Sequence, residues 1–522
     1  MPEFTIPDHM SRLATQAREA LVNRRLDRRA LIAGGAVAGA TVLGVAGATM
    51  LNEETPPPDS SSDTGVPSPT ASTGGSPGAE QNAADALPVG MVLVTSPRLP
   101  LWGVSADQAA MLTRNGARDW SEVGAPITLP VRPVALNEMV PDGMEPAETF
   151  TDYEALVAGL DSERGGVALI PIEQVDFRVN TLSIDGVDPL VTAEGNETTF
   201  RVAIAGDMIP GRNVAAHIRR YGDYTFPYHK VSQFLKSFDL TVGNLEIILS
   251  DTIPPPEESN PFTLDFVCDP AVIEGLIQSG FDAVSLANNH TVYNQAYGID
   301  AFLGTIGFLD DAEIPYFGAG LDLDAARAAY ITEIGGTSIA FIGIDGVTAN
   351  PLHQDDGEAV VPVDVSATAD AAGTNPFNPD YFVADIRALA AEHDIVIPFF
   401  HMGRQYQGVP PDWAIQAAHD CIDAGATAVI SSHPHTIQGM ELYNGKPIVY
   451  GLGNFIYDQM FSVETRTGEV LALTFKGNQL IGLRVHGIEI EDFTQPRLMG
   501  TGEQAAFMTR FWRSTDRIAG KA

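Results

Sequence analysis

Between residues 200 and 458 the chain repeats one grammar of apolar and polar positions. Apolar runs of strand length at 200–205, 240–242, 283–287, 338–344, 395–400 and 427–430 each end in polar residues, and amphipathic stretches follow. Short apolar runs bounded by turn residues predict strands, and their alternation with helical spacing predicts a layered α/β domain. After Asp458 the alternating runs 470–475 and 481–485 predict antiparallel strands that complete a second sheet, and 504–517 predicts a terminal helix.

The stretch before residue 199 reads differently. Residues 89–94 and 166–171 are apolar runs of strand length, and 104–113 has helical spacing, so 87–198 is expected to be a smaller α/β unit. Residues 52–86 are rich in Pro, Ser, Thr and Gly with no apolar period, which predicts a disordered linker. Its Gly74-Gly75-Ser76-Pro77-Gly78 fits an esterase pattern by chance, since neither strand nor helix flanks it. Arg24, Arg25, Arg28 and Arg29 precede an uncharged run over 30–51 with Ala46-Gly47-Ala48 near its end. That pattern resembles a twin-arginine export signal, with an uncleaved membrane anchor as the alternative. The expected organisation is therefore 1–51 signal or anchor, 52–86 linker, 87–198 small unit, 199–500 main domain and 501–522 terminal helix or tail. The body is expected outside the cytoplasm, secreted or anchored.

Composition narrows the partners. The 522 residues hold 30 Lys+Arg against 67 Asp+Glu, a net charge of −37. Six arginines against four acids give 1–51 a balance of +2, so the remainder carries −39. Such a surface excludes nucleic acid, whose binders need a basic face. With only Cys268 and Cys421 there is no disulfide framework or Cys-rich zinc module; the two are expected as buried thiols, although an exported chain could pair them. Any metal site must use His, Asp, Glu and Asn.

The ends of the apolar runs supply those residues. They deliver Asp207, then Asn244 and Glu246, then Asn288, Asn289 and His290, then His401, then His433 and His435. Ligands of open α/β sheets collect at the carboxyl ends of strands, and these are the oxygen and nitrogen donors of a divalent metal site. Asp345 ends a sixth run without a partner motif and is expected to cap a turn.

Gly206-Asp207-Met208-Ile209-Pro210-Gly211-Arg212 resembles the opening block of the CapA family of capsule and poly-gamma-glutamate synthesis proteins. Gly243-Asn244-Leu245-Glu246, Ala287-Asn288-Asn289-His290, His401-Met402-Gly403, His433-Pro434-His435 and Tyr450-Gly451-Leu452-Gly453-Asn454-Phe455 continue that order. The resemblance implies a two-sheet α/β sandwich of the metallophosphatase type. It also implies one or two divalent ions, with Mn, Zn, Fe and Mg undistinguished. By position, Asp207, Glu246, Asn289, His401, His433 and His435 would be ligands, His290 a catalytic acid, and Arg212 a clamp on an anionic oxygen or a helix-start ion pair. Asn244, Asn288, Asn454 and Asp458 would steady the ligands by hydrogen bonds. Metallophosphatases place a His two residues after the first Asp; here that position is Ile209, which leaves a single ion as an alternative. The 87–198 unit resembles a lobe of phosphate-type periplasmic binding proteins. Together these imply an exported protein acting in synthesis, tethering or export of an anionic cell-envelope polymer, or on its precursor, with membrane synthase subunits as further partners. The chemistry would be metal-dependent hydrolysis or transfer; the rival is a metal-stabilised, non-catalytic scaffold. Tyr406, Trp413 and Phe455 could line a cleft or pack in the core, and His217, His229, His353, His393, His419 and His486 are expected on the surface or on helices.

Overall fold

The computed structural model describes residues 87–520, apart from 115, 138, 141–143, 193–197, 255–264, 293–296, 349 and 355–363. The expected signal or anchor at 1–51 and the linker at 52–86 lie outside the described residues.

Two sheets stack face to face in the main domain. The larger runs Tyr316–Phe317, Ala283–Ser285, Leu240–Leu245, Thr199–Met208, Thr467–Lys476, Gln479–Glu491, Gln495–Leu498, and Asn454–Ile456 also pairs with Thr199–Met208. The smaller runs Tyr330–Ile334, Thr337–Asp345, Ile395–His401, Val429–Ser432, Lys446–Val449, Met440–Tyr443. Alternate residues of each strand serve different cores. Val202 and Ile204 meet Ile339, Phe341, Ile397 and Phe399 between the sheets, whereas Ala203 and Ala205 face an outer core with Val214, Ile218 and Phe302. Ala340, Ile342 and Val396 face the opposite outer core with Phe382 and Cys421. Helices Arg212–Tyr221, Ile273–Ser279 and Gly298–Asp311 cover one side, and Pro379–Glu392 and Asp412–Ala424 the other. The central strands are thus buried on both faces, which is why their runs are continuously apolar. Truncating a central ring such as Phe341 to Ala would cost about 3–5 kcal/mol.

The strands after Asp458 correct the sequence expectation. They extend the first sheet, with Val470 opposite Ala205 and Leu473 opposite Val202, antiparallel to Thr199–Met208. The physical reason is burial: Val470 and Ala472 pack in the outer core and Leu471, Leu473 and Phe475 between the sheets. A strand apolar on both faces belongs at a sheet's centre. The terminal helix spans Thr501–Ile518 and seats Phe507, Met508 and Phe511 in the core between the sheets.

Residues 87–190 carry a five-stranded sheet, in the order Glu148–Phe150, Arg132–Leu136, Gly166–Pro171, Met91–Thr95, Asn180–Thr181. Helix Ala106–Thr113 starts at a capping box of Ser105 and Gln108, and Tyr153–Glu163 starts at Asp152, whose side chain accepts from Ala155 N–H. This lobe is tied to the main domain by Arg98 to Asp516 at 2.7 Å and by Arg484 to Asp188 at 2.8 Å. His486 is not a surface residue: its strand brings the ring between Trp102 and Phe234, at centroid distances of 4.7 and 4.9 Å. Burial first, then Arg484 and Arg201, push its pKa down to about 3, so it packs as a neutral ring. Among the described residues no helix is long and apolar enough to cross a membrane.

Candidate metal centre

Asp207 sits near the carboxyl end of Thr199–Met208, beside Asn454 in the parallel pairing with Asn454–Ile456. The approach is close because Gly206 and Gly453 lack side chains. A Cβ on Gly206 would lie 2.0 Å from the Gly453 carbonyl, and Gly453 itself has φ +68°. The Gly-Asp and Gly-Asn pairs of the sequence are thus one steric device that sets two polar side chains together. Glu246 follows Leu240–Leu245, its N–H donating to the Met208 carbonyl at 3.0 Å. Asn288, Asn289 and His290 follow Ala283–Ser285 on the same sheet. From the facing sheet come His401, the last residue of Ile395–His401, and His433 and His435 after Val429–Ser432. His433 and His435 adopt φ of 102° and 54°, left-handed backbone that is costly for non-glycine residues and turns both rings inward.

These side chains converge. Ligand atoms of Asp207, Glu246 and His435 all lie within 4.8 Å of one another. His435 Nδ1 is 3.2 Å from Asp207 Oδ2, His401 Nε2 is 3.5 Å from Glu246 Oε1, and His290 Nε2 is 3.8 Å from the same oxygen. His401 Nε2 lies 2.9 Å from Asn289 Oδ1 and 3.1 Å from His433 Nδ1. The amides tie the set together. Asn244 Nδ2 donates to Asp207 Oδ1 at 2.8 Å, Asn288 Nδ2 donates to Asn244 Oδ1 at 3.0 Å, and Asn454 Oδ1 is 2.9 Å from His435 Nδ1. All six expected ligands and His290 are buried, with Asn289 and His290 nearest the surface.

Burial works against every charge here, and the neighbours decide the outcome. For Asp207, burial is outweighed by the His435 hydrogen bond and the His401 charge, and its carboxyl is held below the usual range. Burial raises Glu246, and Asp207 adds to this against the pull of His401. Burial opposes a charge on His401 and His435, but Glu246 and Asp207 overcome it and raise both. His290 and His433 are pushed well down by burial and by the neighbouring imidazoles. The carboxylates thus favour protons on His401 and His435, and a divalent cation on the same atoms would displace protons from this cluster.

The donor set fits such an ion. Glu246 Oε1 and His433 Nε2 are sealed from solvent and have no hydrogen-bond partner among the described residues, a costly arrangement unless another group completes it. Two carboxylates, an amide oxygen and three imidazoles are the donors expected of Zn, Mn or Fe.

Other expected residues fall elsewhere. Arg212 opens helix Arg212–Tyr221 and pairs with Asp458, both buried, while its guanidinium lies over Phe266 and Tyr457 at 5.2 and 4.8 Å. It is a helix-start ion pair rather than a group open to an incoming anion, and Asp458 serves Arg212 and Asn213 rather than a ligand. Ile209 is packed in the outer core behind the first sheet. Asp345 caps its turn, accepting from Val347 and Thr348 N–H and from both Thr348 and Thr374 hydroxyls. Phe455 is core, Trp413 packs on Phe377, and Tyr406 stands half exposed with its ring 6.2 Å from that of His435. Cys268 and Cys421 are separate buried thiols. His353, expected on the surface or on a helix, lies on a helix but is buried, with its ring 5.6 Å from that of His433. It lies on the four-residue helix Pro351–Gln354, too short to leave a periodic signal.

Residues 201–459 match the family described as "Bacterial capsule synthesis protein PGA_cap". The capsule biosynthesis protein CapA of Bacillus anthracis is 28% identical over 283 residues, 53% of this chain and 63% of that protein, so less than two thirds of its length is spanned. The PGA biosynthesis protein CapA of Bacillus subtilis is 27% identical over 309 residues, 57% of this chain and 74% of that one. A 5'-nucleotidase structure from Candida albicans aligns over 61% of this chain and 57% of its own at 12% identity, with a TM-score of 0.31. The fold rests on the two stacked sheets, and the stretch that matches the bacterial capsule synthesis family is the one that carries Asp207, Glu246, His401 and His435.

Proposed function

We propose that the chain is an exported, metal-dependent hydrolase or transferase that acts on an anionic cell-envelope polymer, capsule or poly-gamma-glutamate, or on its precursor. The observation that carries this is the pair of orphaned donors, Glu246 Oε1 and His433 Nε2, aimed into a cluster of carboxylates and imidazoles. Asp207, Glu246 and His435 would hold one ion, and Asn289, His401 and His433 a second where two bind. A bound dication polarises a phosphoryl or carbonyl oxygen and lowers the pKa of water. Asn244 Nδ2 touches both Asp207 Oδ1, at 2.8 Å, and His401 Nδ1, at 3.3 Å, and so holds a donor of each sheet in place before loading. His290, at the rim and edge-on to Phe266 at 4.2 Å, is disfavoured as a cation by burial and its neighbours, so it would hand a proton to a leaving oxygen or nitrogen only once an anionic substrate beside it raises its pKa. Phe266 and Tyr457 wall that side against water. With Arg212 committed to Asp458, the local positive charge that an anionic substrate needs in a body of −39 must come from the metal.

A second reading, a metal-stabilised scaffold for polymer or synthase subunits, is favoured by Ile209, which brings no ligand to the first ion. Metal content and turnover of bis-p-nitrophenyl phosphate and of a γ-glutamyl amide, on the full chain with Mn or Zn, separate the two. Turnover that His290→Ala abolishes at unchanged metal content supports the enzyme. Stoichiometric metal without turnover on either compound supports the scaffold, and no metal at all sinks both.

A further inference from the structure

A cleft of about 640 Å³ opens between the lobe and the terminal helix Thr501–Ile518. The helix turns one face to it: Gly502, Ala505, Ala506, Thr509, Arg513 and Asp516 recur at three- and four-residue intervals. The lobe supplies the segment 126–129 and Arg164, the residue that ends helix Tyr153–Glu163. None of these belongs to the metal centre.

The charge of this cleft runs against that of the chain. The protein holds 67 Asp+Glu against 30 Lys+Arg, yet the lining holds three arginines and one acid. That acid, Asp516, is spent: its two oxygens accept from Arg98 at 2.7 and 3.3 Å. Arg98 is spent as well, on Asp516 and on Asp161 at 2.9 Å. Arg164 and Arg513 are not. Both are exposed, and among the described residues neither has an ion-pair partner. Each keeps its charge and its fork of donors for a carboxylate from outside. Arg164 also holds left-handed backbone, with φ 47°, at a helix end where glycine is the default. The turn itself therefore does not call for a guanidinium. Most of the remaining lining is apolar, with Leu99, Ile127, Leu129 and Met508. A small inorganic anion would leave that surface unused, whereas a chain with methylenes between its carboxylates meets both parts.

We propose that this cleft docks an extended polycarboxylate chain, its carboxylates on Arg164 and Arg513 and its methylenes on the apolar lining. The argument is charge complementarity: an acidic body repels an acidic polymer, and two unpaired arginines in one cleft give it a place to land. The proposal rests on the reading that this chain handles an anionic polymer, but it needs neither metal nor turnover. Its test is the fluorescence anisotropy of labelled poly-γ-glutamate titrated with the full chain in EDTA. Saturable binding is expected, at least about tenfold weaker at about 0.5 M salt than at about 0.05 M, and absent for the fully amidated polymer. Arg164→Gly suits the turn, so it should melt no lower than wild type and yet bind about fivefold more weakly. Arg513→Glu should weaken binding about tenfold. Arg220→Glu changes the net charge equally from an exposed position on helix Arg212–Tyr221, outside the cleft, and should change binding less than about twofold. The proposal is overturned by no saturable binding, by wild-type affinity in Arg164→Gly and Arg513→Glu, by an equal loss in Arg220→Glu, or by tighter binding of polyphosphate. Polymer binding by a chain without metal or turnover would leave it standing while the enzyme reading falls, and turnover without polymer binding would do the reverse.

Discussion

The two sheets bring opposite chemistry to the metal centre. The larger contributes Asp207, Glu246 and Asn289, all oxygen donors; the smaller contributes His401, His433 and His435, all nitrogen donors. Neither sheet alone presents a site, because acids on one side would repel and imidazoles on the other would stay neutral. The site exists only where the packed layer of Val202, Ile204, Phe341 and Phe399 holds the sheets in register. Charge on each side is favoured by the other: the imidazoles lower the pKa of Asp207, and the carboxylates raise those of His401 and His435.

The comparison breaks most completely when one side loses its charge. Asp207→Ala should reduce bound metal to below about a tenth of wild type, and His435→Ala should do the same from the other sheet. Elemental analysis of protein purified with Mn or Zn checks both. If either variant keeps its full complement, that sheet is not a partner in the site.

Next in size is an ion pair that the larger sheet makes without help from the smaller. Arg212 and Asp458 lie 246 residues apart and are both buried. Asp458→Asn leaves a buried guanidinium uncompensated and should cost about 3–5 kcal/mol, read from urea unfolding. An effect under about 1 kcal/mol would mean that solvent reaches the pair. The pair also marks what the sequence could show. Ligands at strand ends were legible because each follows an apolar run, and local order puts them at one sheet edge. The partnership of Arg212 with Asp458 was not, since nothing local links a helix start to a distant strand end. His353, the central position of strand Thr467–Lys476 and the packing of His486 against the lobe were hidden for the same reason: each depends on what the folded chain brings alongside.

Glu469 sharpens the comparison from within the larger sheet. It is as buried as Asp207, but among the described residues neither carboxyl oxygen has a hydrogen-bond partner. Burial alone raises its pKa well above the ordinary value of 4.5. The unfolded chain therefore releases this proton near pH 4.5, while the folded chain keeps it. Folding then binds the extra proton, and stability falls as pH rises from about 4.5 toward the folded pKa. Glu469→Gln removes that loss and should be about 1–3 kcal/mol more stable than wild type at pH 7.5, with no difference at pH 4. Equal stabilities at both pH values would mean that Glu469 is paired after all.

The smallest effects should come from the groups that only steady the imidazoles, and they differ in reach. Ser432 Oγ contacts His401 Nδ1 at 3.1 Å from within the same sheet. Asn454 belongs to the larger sheet and reaches across to His435 at 2.9 Å, while its Nδ2 donates to the Thr465 carbonyl at 2.7 Å. Asn454 thus fixes a nitrogen donor relative to the carboxylates, whereas Ser432 fixes one relative to its own sheet. Removing a hydrogen bond behind a ligand typically costs 10–100-fold in metal affinity. Asn454→Ala should fall at about tenfold and Ser432→Ala at a few-fold, measured by competition with a chelator. The order matters more than the sizes. If Ser432→Ala were the worse of the two, cross-sheet alignment would not limit the site, and the two sheets would act as independent halves.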